Sequence, residues 1–254
     1  MMIAMTKNES CATHGAYTSE LLKSERLNLQ RWTSCPACER EREQAEVAEA
    51  AARRRETSEY TRNLRLDAAG IPPRYRNVTF EGFQAPAVPQ QQALAAAREY
   101  ATNFEANRAV GRSAVFSGLT GCGKTHLACA TALHLFEAGY SVCYTTVTGL
   151  TRRLKATWGE HRVELEHEVL AQLHGCDLLI LDEVGVQSNS DWERNHLFDL
   201  INERYNHLRP TIVISNLGLP EISKVLGERI LDRLRQAGGR AIRFEWESHR
   251  KEAT

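Results

Sequence analysis

Gly118-Leu119-Thr120-Gly121-Cys122-Gly123-Lys124-Thr125 fits the pattern G-x-x-x-x-G-K-[ST] at every fixed position. The residues around it supply the context that pattern needs. Ala114-Val115-Phe116-Ser117 before it reads as a short buried strand, and Lys124–Ala138 after it as a helix stopped by Gly139. A glycine-rich turn that matched by chance would lack one or both. Glycines let successive backbone N–H groups turn inward around phosphate oxygens. The helix N-terminus adds the positive end of its dipole. Lys124 is expected to reach the β- and γ-phosphates, and the Thr125 hydroxyl to ligate Mg²⁺. Gly118, Thr120, Gly121, Cys122, Gly123, Lys124, Thr125 and His126 form the expected nucleotide-binding set. Cys122 occupies a free position of the pattern and has no expected chemical role.

Further along, Leu178-Leu179-Ile180-Leu181 is an apolar strand that runs into Asp182-Glu183. After a phosphate loop, this order is the Walker B arrangement. Asp182 would hold Mg²⁺, and Glu183 would orient and activate the attacking water, which favours ATP hydrolysis over mere binding. A third core strand, Thr211–Ser215, ends at Asn216. That amide has two readings: a contact to the γ-phosphate or attacking water, or a turn residue before Leu217-Gly218. Arg229 and Arg233 lie four apart on one helix face. By spacing they are surface partners of Glu228 and Asp232, or arginines that enter a neighbour's site.

Outward from these motifs, strand and helix patterns alternate. Val142–Thr146 and Ala241–Trp246 read as further strands, and Leu150–Trp158, Val163–Leu173, Trp192–Leu208, Pro220–Leu226 and Glu228–Arg235 as helices. Alternation of this kind predicts an α/β fold with a mainly parallel sheet flanked by helices. Ahead of it, Glu39–Ala69 is a run of Glu, Arg and Ala with few apolar positions, expected to be a solvated connector helix ended by Gly70-Ile71-Pro72-Pro73. The expected organisation is a small module at 1–40, a charged helical connector at 41–72 and an ATPase domain at 73–254. The 254 residues balance Lys+Arg 32 against Asp+Glu 32, with 42% hydrophobic and 25% charged content, which excludes disorder as a whole-chain reading. No apolar run approaches the ~20 residues of a membrane helix, and Met1–Cys11 has no apolar signal segment. A cytoplasmic protein with no membrane partner is expected.

The cysteines are seven, an odd number that argues against a disulfide framework. Cys11-x₂-His14 and Cys35-Pro36-Ala37-Cys38 form two knuckle-like pairs. Three thiolates and one imidazole make a closed tetrahedral set suited to structural Zn²⁺. Tyr17, Leu21, Leu27, Leu29 and Trp32 between the pairs are expected to pack a minimal core over the metal. So small a region cannot bury enough surface alone, so the metal would supply its folding energy. Free cytosolic thiols are the competing reading. His161, His167 and His174 read as surface residues of helices.

GLTGCGKTHLA, DLLILDEVG, and VLGERILDRL with the tail RFEWESHR together resemble the DnaC-type replicative-helicase loaders, including prophage-borne versions. These are AAA+ ATPases related to the IstB-type transposition ATPases. The resemblance covers about Tyr75 to Arg250. It implies sensor 1 for Asn216, an arginine finger acting in trans for Arg233 with Arg229 as second candidate, and a nucleotide-contacting arginine at Arg250. It also implies that Pro73–Phe80 lies near the adenine. Only 21 residues follow Arg233, so a separate helical lid domain is not expected. The N-terminal module departs from the pattern: its residues match no helicase-gripping surface.

The function so implied is ATP-dependent loading of a hexameric replicative helicase onto single-stranded DNA, by protomers that self-associate around bridging ATP. Arg152, Arg153 and Lys155 follow the second strand on an expected helix and would face the DNA. Two other readings share the motifs. One is an IstB-type transposase helper acting on duplex DNA. The other is a zinc-dependent DNA-binding adaptor that uses ATP as a switch.

Overall fold

A computed structural model describes residues 5–24, 29–160, 162–185 and 190–248. The chain divides into two compact units, Met1–Leu64 and Arg65–Thr254, so the division falls inside the segment read as a connector.

The first unit opens with three antiparallel strands in the order β1 (Thr6–Cys11), β2 (Gly15–Ser24), β3 (Leu29–Trp32). None of these was anticipated, because their sequences are polar and lack a regular apolar alternation. Pairing of Cys11 with Gly15 closes the first hairpin tightly and brings His14 round beside Cys11. Helix α1 (Pro36–Ala68) starts at Pro36, a residue suited to a first helical turn, so Cys38 falls in that turn. Every residue from Arg40 to Thr61 is exposed, as the charge-rich sequence demands. Pairs such as Glu49–Arg53, 2.5 Å apart one turn along, support the helix locally. The minimal core expected between the cysteine pairs is only half-buried among its described residues. Among the described residues of this unit, only Ser19 and Cys35 are buried. Tyr17, Leu21 and Trp32 are half-buried, and Leu27 lies outside the described residues.

In the second unit, α2 (Val88–Thr102) and α3 (Phe104–Ala109) precede β4 (Ala114–Gly118) and α4 (Lys124–Glu137). Then come β5 (Val142–Thr146), α5 (Val147–Ala156), α6 (Glu166–Gly175) and β6 (Leu178–Val184). The unit continues with α7 (Asp191–Asn206), β7 (Thr211–Ser215), α8 (Leu219–Leu226), α9 (Glu228–Arg235) and β8 (Arg240–Phe244). The strands form one sheet in the order β5-β6-β7-β4-β8, and each pairing is parallel. Such a sheet needs both faces covered, so its strands carry apolar residues on both sides. Phe116, Ile180, Ile212 and Ile242 pack on one face against α2 and α4. Val115, Leu179, Leu181 and Val213 pack on the other with α5 to α9. Burial of these faces carries the stability of the unit.

Helix α2 went unread because its buried positions are Gln90, Ala93, Ala97, Tyr100 and Ala101, mostly polar or small residues that mark no apolar stripe. Arg204 is a further surprise. It is 1% exposed at the end of α7. Its guanidinium donates to Thr211 Oγ1 and to the carbonyls of Leu173, His174, Cys176 and Pro210, at 2.5–3.2 Å. A guanidinium that donates from all three nitrogens is a tolerable burial, and here it ties α7 to the end of α6 and the start of β7.

Candidate functional site

The C-terminal ends of β4, β6 and β7 meet over a cleft of about 540 Å³. Thr120, Gly121, Gly123, Lys124, Thr125 and His126 line it from the loop, Asp182 and Glu183 from β6, and Asn216 from the end of β7. The loop conformation requires its glycines. Gly118 sits at φ 130°, where a Cβ would strike the Phe244 carbonyl, and Gly123 at φ 86°, where a Cβ would come within 2.5 Å of Phe83 Cε2. Lys124 is 5% exposed, and burial holds its ammonium below the usual lysine range. It donates to the carbonyls of Gly118 at 2.8 Å and Leu119 at 2.6 Å. Cys122 points away from the cleft and donates its thiol to the Trp246 carbonyl at 2.7 Å, tying the loop to the C-terminal tail.

Asp182 is buried and held at both oxygens. Oδ1 accepts the Glu183 N–H at 2.7 Å, and Oδ2 accepts the hydroxyls of Thr125 at 2.9 Å and Tyr144 at 2.8 Å. The acidic strand bulges between Leu181 and Val184, with Glu183 in the left-handed region at φ 59°. Ser215 secures the bulge by donating to the Val184 carbonyl at 2.5 Å. A bulge re-aims the side chain beside it, and Glu183 stands exposed in the cleft while Asp182 is buried. The other end of the cleft is aromatic and apolar, with Tyr75, Val78 and Phe83. His126 stacks edge-on to Phe83 and faces the Thr79 carbonyl at 2.9 Å. A lysine in a glycine loop, a hydroxyl beside a carboxylate, and an apolar wall fit the triphosphate, the metal and the base of a nucleotide. The chemistry of that donor set also fits Mg²⁺, a hard cation that takes oxygen ligands.

In the first unit, Cys11, His14, Cys35 and Cys38 place their ligand atoms within 4.8 Å of one another. Cys11 Sγ and Cys38 Sγ are 3.4 Å apart, and His14 Nδ1 lies 3.3 Å from Cys38 Sγ. A tetrahedron with 2.3 Å Zn–S bonds has S–S edges of about 3.8 Å, so the cluster has the size of a zinc site. The far nitrogen, His14 Nε2, faces Glu41 Oε1 at 2.9 Å. Contact with Cys11 and then Glu41 raises the His14 pKa to about 9. The backbone N–H groups of Thr13 and His14 lower the Cys11 thiol to about 6.

The sequence matches the family described as IstB-like ATP binding protein over residues 45–253. This chain belongs to the IstB-like ATP-binding family. The family's AAA+ P-loop fold is the fold of its second unit. The IstB-like chain is 35% identical to the replicative helicase loader DnaC of Escherichia coli K12 over 189 residues, 74% of this chain and 76% of that protein. It is 32% identical to YdaV of the same strain over 216 residues, 81% of this chain and 82% of that protein. Among solved structures, the crystal structure of the DnaC helicase loader superposes with a TM-score of 0.61 at 28% identity, covering 68% of this chain and all of that one.

Of the other anticipated residues of this IstB-like protein, the described arginines lie outside the cleft. Arg229 on α9 is exposed. Arg233, one turn later, lies over the rings of Phe198 at 5.5 Å and Tyr205 at 5.3 Å. Arg250 and His161 fall outside the described residues. Two sequence expectations are corrected, and one residue was missed. Arg153 is not free for DNA: it forks onto Glu164 at 2.6 and 2.8 Å and donates to Gln172. His174 is not a surface residue: its Nε2 is buried, and burial lowers its pKa. Tyr144 was overlooked altogether, although β5 pairs with β6 and brings its ring to Asp182.

Proposed function

We propose that this chain is an ATP hydrolase that loads a hexameric replicative helicase onto single-stranded DNA in the cytoplasm. The observation that carries the DNA half is an exposed tryptophan beside exposed cations. Trp158 is 58% exposed and meets Trp192 edge-on at 5.3 Å. Lys155 lies over the Trp192 ring at 5.5 Å, and Arg152 is exposed on the same helix. Aromatic faces with nearby cations suit unpaired bases, since duplex DNA hides its base faces. This favours the loader over a transposase helper acting on duplex. Likeness to a helicase loader along most of the chain supports the helicase as partner.

In this reading the loop from Gly118 to Thr125 and Lys124 cradle the triphosphate. Mg²⁺, held by Thr125 and Asp182, would neutralise charge on the phosphates. Glu183 orients the attacking water and takes its proton, and Asn216 holds the water from the neighbouring strand. Arg229 and Arg233 serve the site of the adjoining protomer in an ATP-bridged assembly, and exposed Arg229 needs no rearrangement to do so. Cys11, His14, Cys35 and Cys38 hold structural Zn²⁺.

The test is co-elution of the full chain with its host's replicative helicase, with and without ATP. Wild type is expected to form the complex with ATP. Glu183→Gln is expected to bind ATP and retain the helicase without turnover, and Arg233→Ala to lose the ATP dependence. Trp158→Ala is expected to weaken retention of single-stranded DNA by the complex. No complex under any nucleotide condition, with ATP binding intact, would overturn the loader reading.

A further inference from the structure

Tyr144 sits near the end of β5, one strand away from the acidic pair, and in register with Ile180 of β6. Its ring packs against the core on the α4 side of the sheet, while its hydroxyl reaches across to Asp182 Oδ2 at 2.8 Å. The same oxygen accepts the Thr125 hydroxyl at 2.9 Å. The backbone of Tyr144 is fixed too, because its N–H donates to the Ala69 carbonyl at 2.7 Å. Ring, backbone and hydroxyl are therefore each constrained, and the hydroxyl is spent on a single carboxylate oxygen.

We propose that Tyr144 is a positioning residue that sets the orientation of the Asp182 carboxylate and thereby the affinity of the site for Mg²⁺. The inference rests on the ATPase reading above. Asp182 reaches the cleft from within the bulge between Leu181 and Val184, where the backbone leaves its regular register. Without Tyr144, Oδ2 would keep one of its two donors, leaving Thr125 on that oxygen and the Glu183 N–H on Oδ1 to hold the carboxylate, and Thr125 must also turn a lone pair toward the cation. A phenol donating from the adjacent strand keeps the carboxylate plane fixed as Thr125 does so. Partners behind a metal ligand change metal affinity by about 10–100-fold when removed.

Tyr144→Phe removes the hydroxyl and keeps the ring. Two readouts on the full chain test it. One is binding of a fluorescent ADP analogue against Mg²⁺ concentration, which needs no turnover. The other is ATP hydrolysis against Mg²⁺. The half-saturating Mg²⁺ is expected to rise about 10-fold in both, while saturating Mg²⁺ restores the wild-type hydrolysis rate. A purely packing role for Tyr144 would lower thermal stability and leave the Mg²⁺ dependence unchanged, and that result overturns the proposal. If the phenylalanine variant fails to fold, Tyr144→Met fills a similar volume without a hydroxyl and carries the same expectation. A wild type with no Mg²⁺-dependent response counts against the ATPase reading, and the proposal falls with it. A normal wild type beside an unshifted variant counts against Tyr144 alone.

Discussion

The two units of this chain solve the folding problem in opposite ways. The second unit buries apolar residues on both faces of a five-stranded sheet. Its cleft is a by-product of strand ends that are already rigid. Among its described residues, the first unit buries only Ser19 and Cys35, and its polar strands converge on four metal-ligand atoms within 4.8 Å. Hydrophobic burial scales with area, and a three-stranded sheet has too little of it. Where burial is insufficient, a donor cluster is the remaining source of folding energy. The same chain therefore contains one site that its fold creates and one donor cluster that, with metal bound, would create its fold.

The largest effect that separates them is removal of metal. Chelation, or Cys35→Ser, is expected to withdraw about 10 kcal/mol from the first unit. The β1–β3 amide signals should collapse in an NMR spectrum while ATP binding persists. A first unit that stays folded without metal would erase the contrast. Next in size is Arg204→Leu, which strands buried carbonyls and should cost the second unit about 3 kcal/mol or more. Calorimetry should show its transition falling while zinc affinity stays constant. Smallest is Glu41→Gln, which weakens the acceptor behind His14 Nε2. Zinc affinity is expected to fall about 10-fold in a chelator competition, with the second unit untouched. An unchanged affinity would mean that Glu41 does not orient the imidazole.

What the sequence revealed follows the same divide. The loop 118–125, the strand before Asp182 and the strand before Asn216 were legible because long apolar runs flank motifs of fixed spacing. The structure brings those residues into one cleft. Helix α2 was hidden because alanines do its packing. The strands β1–β3 were hidden because their sequences are polar and lack a regular apolar alternation. Tyr144 and Arg204 were hidden for a different reason. Each acts on residues distant in sequence, Asp182 across a strand pair and the carbonyls of Leu173, His174 and Cys176 at the end of α6. Only knowledge of which strands lie side by side exposes such partners. Arg153 shows the converse, since a basic run on a helix suggested DNA while Glu164 and Gln172 occupy its guanidinium.

One feature of the acidic strand bears on how this protein would respond to engineering. Glu183 occupies the left-handed region at φ 59°, which a glycine or an asparagine adopts far more readily. Strain of that kind costs about 1–3 kcal/mol. A library screened only for heat resistance would therefore be drawn to Glu183→Gly. Its survivors would be hardier proteins that still grip ATP and have lost the group proposed to turn it over.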